Sequence, residues 1–181
     1  MTATDHRRSR VSAGLLMFRR KNDALEVLLV HPGGPFFQRK DDGAWTIPKG
    51  EASPGEDLFA RARTEFEEEL GISPPACAKP PSRKSYGEPG ATAGRSGDWI
   101  ALGSIKQKGG KTVYAWAFEG DLPGSFELKS NTFEIEWPPR SGKLKEFPEI
   151  DRAEFFPEEI ARRKINPAQA PFLDRLRAAL Q

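Results

Sequence analysis

Three carboxylates, Glu65, Glu68 and Glu69, stand within five residues of one another in a stretch with helical spacing. At roughly 100° per residue, with Glu65 at zero, Glu69 falls at about +40° and Glu68 at about −60°. Like charges three or four residues apart destabilise an isolated helix, so the strip asks for a compensating charge. A divalent cation supplies one: hard cations take carboxylate oxygens, and a nearby positive charge favours the ionised acid. On the same wheel Phe59, Ala62, Phe66 and Leu70 gather beside the acids, which gives one apolar flank and one oxygen-bearing flank. Glu67 points away from the strip and reads as a solvated acid. Taken alone, the three glutamates are equally consistent with a charged, solvent-facing helix.

The helix that carries them has a marked start and stop. Ser53-Pro54-Gly55-Glu56-Asp57 supplies turn residues and early acids, which suit the positive end of the helix dipole, so a helix is expected over about 57–70. Gly71 is placed to end it. Upstream, Trp45-Thr46-Ile47 reads as a short strand leading into Pro48-Lys49-Gly50-Glu51.

Gly50, Glu56, Glu65, Phe66, Glu68, Glu69, Gly71 and Ile72 fall at the spacing of the Nudix box, and residues 50–72 resemble it. One position departs: Thr64 stands where the box has Arg. The resemblance implies an α/β Nudix fold, an α/β/α sandwich with a mixed sheet and a metal-binding helix, as a single domain over 1–181. It implies Mg²⁺ or Mn²⁺ held by Glu65, Glu68, Glu69 and the carbonyl of Gly50, with these glutamates as the catalytic set. The activity implied is hydrolysis of a nucleoside diphosphate linked to another group. In the family the first box glutamate, here Glu56, commonly pairs with the Arg that is missing. Arg61, four residues before Glu65 and on the acid side of the helix, is the candidate to take over part of that role, with an ordinary surface cation as the alternative.

Further candidates lie around the box. Lys49 could donate to a phosphate, and the run from Trp45 through Pro48-Lys49-Gly50 resembles the dinucleoside and inositol polyphosphate branches of the family, so Trp45 and Lys49 are read as substrate-binding. Trp137-Pro138-Pro139-Arg140-Ser141-Gly142-Lys143 reads as a rigid basic loop in which Arg140 would grip phosphate. Trp137, Pro138 and the run Ser130–Phe133 resemble a bacterial subgroup of Nudix pyrophosphohydrolases. Glu146 and Glu149 are candidates for a general base that some family members take from this half of the chain. His31 reads as a structural histidine.

Around the box, Val11–Arg19 with Ala24–Val30, and Trp99–Ile105 with Thr112–Phe118, read as hairpins, and Thr132–Trp137 as a further strand. Residues 137–149 read as loop, and helices are expected over Glu158–Lys164 and Ala168–Leu180. The Pro-, Gly- and Ser-rich stretch 73–97 reads as a mobile insertion. Periodicity alone yields no more than mixed α and β.

Composition removes several classes. A net charge of +2 is too small for a nucleic-acid surface or an anionic membrane, so neither partner is expected. No apolar run is long enough to span a bilayer. Cys77 is the only cysteine, so no intrachain disulfide can form, and together with a polar, basic N-terminus this points to the cytoplasm. The expected partner is a nucleotide or another small phosphoanhydride, and no oligomeric state follows. The competing class is a nucleotide-sensing Nudix domain without strong catalysis, which Thr64 favours and the retained glutamates disfavour.

Overall fold

The computed structural model describes residues 10–77, 95–96 and 99–181. Its centre is β1 (Val11–Lys21), a continuous apolar run whose alternate residues serve two different layers. Ala13, Leu15 and Met17 face one side of the sheet, and Leu16 and Phe18 the other. β1 turns through Asn22 and Asp23, both at positive φ, into antiparallel β2 (Ala24–Pro32). The N-terminal half of β1 pairs instead with β3 (Lys49–Glu51), in the register Ser12–Glu51, Ala13–Gly50 and Gly14–Lys49.

The remaining strands complete a mixed seven-stranded sheet. β4 (Arg95–Ser96) pairs with β5 (Trp99–Lys106), which is antiparallel to β6 (Thr112–Glu119). β6 runs parallel to β1, and β9 (Ile150–Pro157) closes the far edge against β2. The order is β4-β5-β6-β1-β2-β9, with β3 joined to β1. β7 (Thr132–Glu136) and β8 (Leu144–Pro148) form a separate two-stranded hairpin.

Helices cover both faces, so the α/β/α sandwich with a mixed sheet is the observed architecture. α1 (Leu58–Leu70) packs Phe59, Ala62, Phe66 and Leu70 against Trp99, Trp116 and Phe118. α2 (Glu158–Lys164) and α3 (Ala170–Leu180) cover the opposite face, where Phe172, Leu173 and Leu176 join Trp45 and Ile47. Among the described residues no helix is long and apolar enough to cross a membrane.

The acid-bearing helix depends on its apolar flank for its position. Phe66 is fully buried and meets Phe118 edge-to-face at 5.4 Å. Phe66→Ala is expected to cost about 3–5 kcal/mol, the range for truncating a core aromatic. A urea midpoint that falls at unchanged slope would report that loss, and a shift below about 1 kcal/mol would show that α1 is held by other means.

Several expectations change. Trp45–Ile47 is not a strand; it makes single bridges from Thr46 to Val30 and from Trp45 to Ile165. Residues 137–149 are not all loop, because 144–148 are β8, and 150–157, to which no element was assigned, are β9. β8 is nearly all exposed and lacks alternation, while charges interrupt the apolar positions of β9. The last helix begins at Ala170, after a tight turn over Pro167–Gln169 in which Asn166 accepts from the Ala168 amide at 3.0 Å. Of the expected mobile insertion 73–97, residues 78–94 and 97 lie outside the described residues.

Candidate active site

α1 begins where its sequence predicts. Asp57 is the N-cap, its carboxylate accepting from the Ala60 amide at 2.9 Å. It ends at Gly71, whose φ of 71° is left-handed and whose amide donates to Glu67 at 2.7 Å. Between these caps the acids take different environments: Glu65 is buried, Glu69 half-buried, and Glu67 and Glu68 exposed. Glu67 accepts from the Ser73 hydroxyl at 2.7 Å, as suits a surface acid.

β3 lies directly against the acid strip. The Glu65 carboxylate packs so closely on Gly50 that a Cβ there would sit 1.9–2.2 Å from its carboxyl atoms. Any side chain at position 50 would therefore displace Glu65. The Lys49 amide donates to Glu69 Oε2 at 3.0 Å. The strand thus presents its backbone to two of the three glutamates.

Arg61 joins the same elements from the helix side. Its Nη2 donates to Glu65 Oε1, and its Nε donates to the Glu51 carbonyl at 3.0 Å. Thr64 turns away and donates to its own helix at Ala60, 3.2 Å. Glu56 closes its own turn, accepting from the Ser53 amide at 2.7 Å.

The electrostatics centre on Glu69. Burial pushes its carboxyl up to about 8, with Lys49 pulling the other way and Glu149 and Glu68 adding repulsion. Burial and Lys111 in turn push the Lys49 ammonium down. Of the two base candidates, then, Glu149 stands within electrostatic reach of the strip. Glu146 instead accepts from the Thr132 hydroxyl within the hairpin.

Other sequence candidates lie elsewhere. Trp45 is 1% exposed in the opposite layer, donating to Asp41 at 2.8 Å. Phe156 and His31 pack edge-on at 4.8 and 5.2 Å and Arg152 lies over the ring, so no face is left for the substrate contact read from the sequence. His31 is buried between Asp151 and the Lys40 carbonyl, 2.7 Å each, as a structural histidine. Arg140 sits exposed at the tip of the β7–β8 hairpin with φ at +65°.

Among the described residues no three His, Cys, Asp or Glu side chains converge as a metal cage. Glu65 is turned to Arg61 and Glu69 to the Lys49 amide. Mg²⁺ nevertheless asks for only one or two carboxylates and completes its shell with water and phosphate oxygens. Glu69, with Glu68 and Glu149 in range and its own charge suppressed by burial, is the kind of donor that a cation would stabilise. The donor set fits such an ion.

The family model for the NUDIX domain matches residues 8–176. The chain belongs to the NUDIX domain family. Membership carries the enzyme class, a Nudix phosphoanhydride hydrolase, acting at family level on nucleoside diphosphate-linked compounds. Nudix hydrolases generally use divalent metal ions. No protein with a curated function matches the chain. Among solved structures, the Ap4A hydrolase of C. elegans in a binary complex is similar at 20% identity and a TM-score of 0.58, covering 94% of this chain and 97% of that one. The NUDIX domain of Shewanella oneidensis NrtR, complexed with ADP ribose, is similar at 12% identity and a TM-score of 0.57, covering 94% and 88%. The M. smegmatis Nudix hydrolase RenU is similar at 16% identity and a TM-score of 0.53, covering 95% and 86%. These likenesses bear on the fold: the Nudix α/β/α sandwich is common to all of them.

The helical angle of Arg61 marks it as a neighbour of Glu65, whereas the Lys49 amide's donation to Glu69 has no such mark. A main-chain amide leaves no trace in residue type.

Proposed function

We propose that this Nudix domain hydrolyses nucleotide pyrophosphates with Mg²⁺ or Mn²⁺, taking a dinucleoside polyphosphate as substrate. The observation that carries the reading is the partly buried Glu69 carboxyl, flanked by Glu68 and Glu149 and seated on the Lys49 amide. Glu65, Glu68, Glu69 and the Gly50 carbonyl would hold the ion. When bound, such an ion neutralises phosphate charge and lowers the pKa of an attacking water. Lys49, partly buried beside Glu69 and Glu51, donates to a phosphate oxygen when charged. Glu149 accepts the proton of the attacking water, and Arg140 holds the distal phosphate. Little covalent work falls to the protein; positioning dominates.

Two solved relatives in fold, one named an Ap4A hydrolase and one complexed with ADP ribose, support a nucleotide-type ligand. The cytoplasm, inferred from the lone Cys77, is the compartment that goes with this reading. Thr64, with Glu65 already neutralised by Arg61, favours a second reading, a nucleotide sensor.

The test is turnover of diadenosine tetraphosphate, ADP-ribose and ATP by the purified chain, with Mg²⁺, with Mn²⁺ and with EDTA. Release of nucleotide products at least a hundredfold faster with metal than with EDTA is expected. Tight binding without turnover would replace the hydrolase with the sensor.

A further inference from the structure

Phe36 is 61% exposed, and among the described residues only Leu144 is a large apolar side chain exposed as far. It is not isolated. Its ring meets the half-buried Trp137 edge-to-face, centroids 5.6 Å apart at 80°. Two residues before Phe36, Gly34 lies against Phe133, which leans on Phe147 at 6.2 Å; a Cβ on Gly34 would approach the Phe133 ring to 2.8 Å. An edge-to-face pair in which Phe36 stays 61% exposed leaves aromatic surface open to a ligand.

The position of the pair gives it meaning. The loop carrying Phe36 is tied to the turn before β9, the Gly33 amide donating to the Glu149 carbonyl at 2.9 Å. Glu149 is the residue whose charge reaches Glu69. The Phe36 loop is therefore hydrogen-bonded to the residue whose charge adds repulsion at Glu69. On its other side the Trp137 amide donates to the Lys143 carbonyl at 2.9 Å, so Lys143 and Arg140 belong to the same hairpin tip. Among the described residues neither cation makes an ion pair, while Glu136 and Glu146 of the hairpin are turned to the Gly142 amide and the Thr132 hydroxyl. The patch is aromatic and cationic at once, complementary to a flat ring bearing phosphates.

We propose that Phe36 and Trp137 form a stacking platform for the nucleobase of the substrate, with Arg140 and Lys143 meeting its phosphates. This rests on the hydrolase reading for the position of the phosphoanhydride but makes a separate claim: affinity depends on the base. Stacking on an aromatic face tolerates every base, so the platform selects nucleotides over inorganic phosphates rather than one nucleotide over another.

Equilibrium titration of ADP and of inorganic pyrophosphate tests it, using the full chain and its Phe36→Ala, Phe36→Tyr and Trp137→Leu variants. Phe36→Ala should weaken ADP about tenfold, the scale of one lost base–aromatic stack, and leave pyrophosphate within twofold. Trp137→Leu should act in the same direction, and Phe36→Tyr should bind ADP like the parent. Because Phe36 is exposed, its removal leaves the core untouched, and an unchanged melting temperature would verify this. Equal affinity of the parent for ADP and pyrophosphate, no ADP binding, or unchanged ADP affinity in Phe36→Ala would each overturn the platform. A parent that prefers ADP through Phe36 yet turns over nothing would keep the platform and overturn the hydrolase. Turnover of base-containing substrates with unchanged KM in Phe36→Ala would do the reverse.

Discussion

Glu69→Gln is expected to lower metal-dependent kcat about a thousandfold or more while leaving the fold intact. The substitution is isosteric, and the Gln carbonyl can still accept from the Lys49 amide, so the tie between β3 and α1 survives. What it removes is the charge. A thousandfold corresponds to about 4 kcal/mol of barrier, within the several kcal/mol that a cation contributes at a developing phosphate charge. Stability supplies a second readout with a definite sign. The folded chain holds the Glu69 proton up to about 8, against an ordinary 4.5. Between those values the folded state binds more protons than the unfolded one, so this group makes stability fall as pH rises through the window. In EDTA the parent should therefore lose melting temperature between about pH 5 and pH 8 more steeply than Glu69→Gln, which has nothing to ionise there. Mg²⁺ should raise the parent's melting temperature at the upper end of that window and move the variant little. A variant that keeps more than a tenth of parental turnover would remove Glu69 from the chemistry.

The parts of this site that could be read in advance are those written in side-chain spacing. Phe59, Phe66 and Leu70 share a face because of their helical interval, and that face is buried. Gly71 ends α1 because a left-handed residue is needed there and glycine adopts it freely. Elements without a periodic signature escaped. β8 is exposed on nearly every residue, so no alternation of burial marks it. β9 interleaves Asp151, Arg152 and Glu154 with its apolar residues, and only pairing with β2 reveals it as a strand. The burial of Trp45 depends on β9 bringing Phe156 over it and on the end of α2 accepting its amide at the Lys164 carbonyl, tertiary events with no local mark. Glu149 and Glu146 are indistinguishable by type, and only the geometry of the turn before β9 separates them.

Arg61→Ala is the second large effect, and its direction follows from what the guanidinium joins. Nη2 holds Glu65 and Nε holds the Glu51 carbonyl, so one side chain fixes α1 to β3 at the residues flanking Gly50. Thr64, in the position where the family has Arg, makes no such link. Without Arg61 the carboxylate of the buried Glu65 loses its ion-pair partner and is expected to swing toward solvent or draw a proton. Displacing a catalytic carboxylate of the proposed site by about 1 Å costs on the order of a hundredfold in rate. The expected result is therefore a kcat about a hundredfold lower with KM changed less than threefold, since Arg61 is engaged with Glu65 and the Glu51 carbonyl and is not one of the proposed phosphate donors. Arg61→Lys should recover only part, because an ammonium cannot serve both acceptors in the fork geometry of a guanidinium. Thr64→Arg in the parent should be tolerated. Mg²⁺ distinguishes positioning from mere support of the fold: it should raise the melting temperature of Arg61→Ala more than that of the parent, because the ion supplies the positive charge that Glu65 has lost. Equal turnover in Arg61→Ala and parent, or an identical Mg²⁺ shift in both, would reduce Arg61 to a surface cation and leave Glu65 oriented by Gly50 alone.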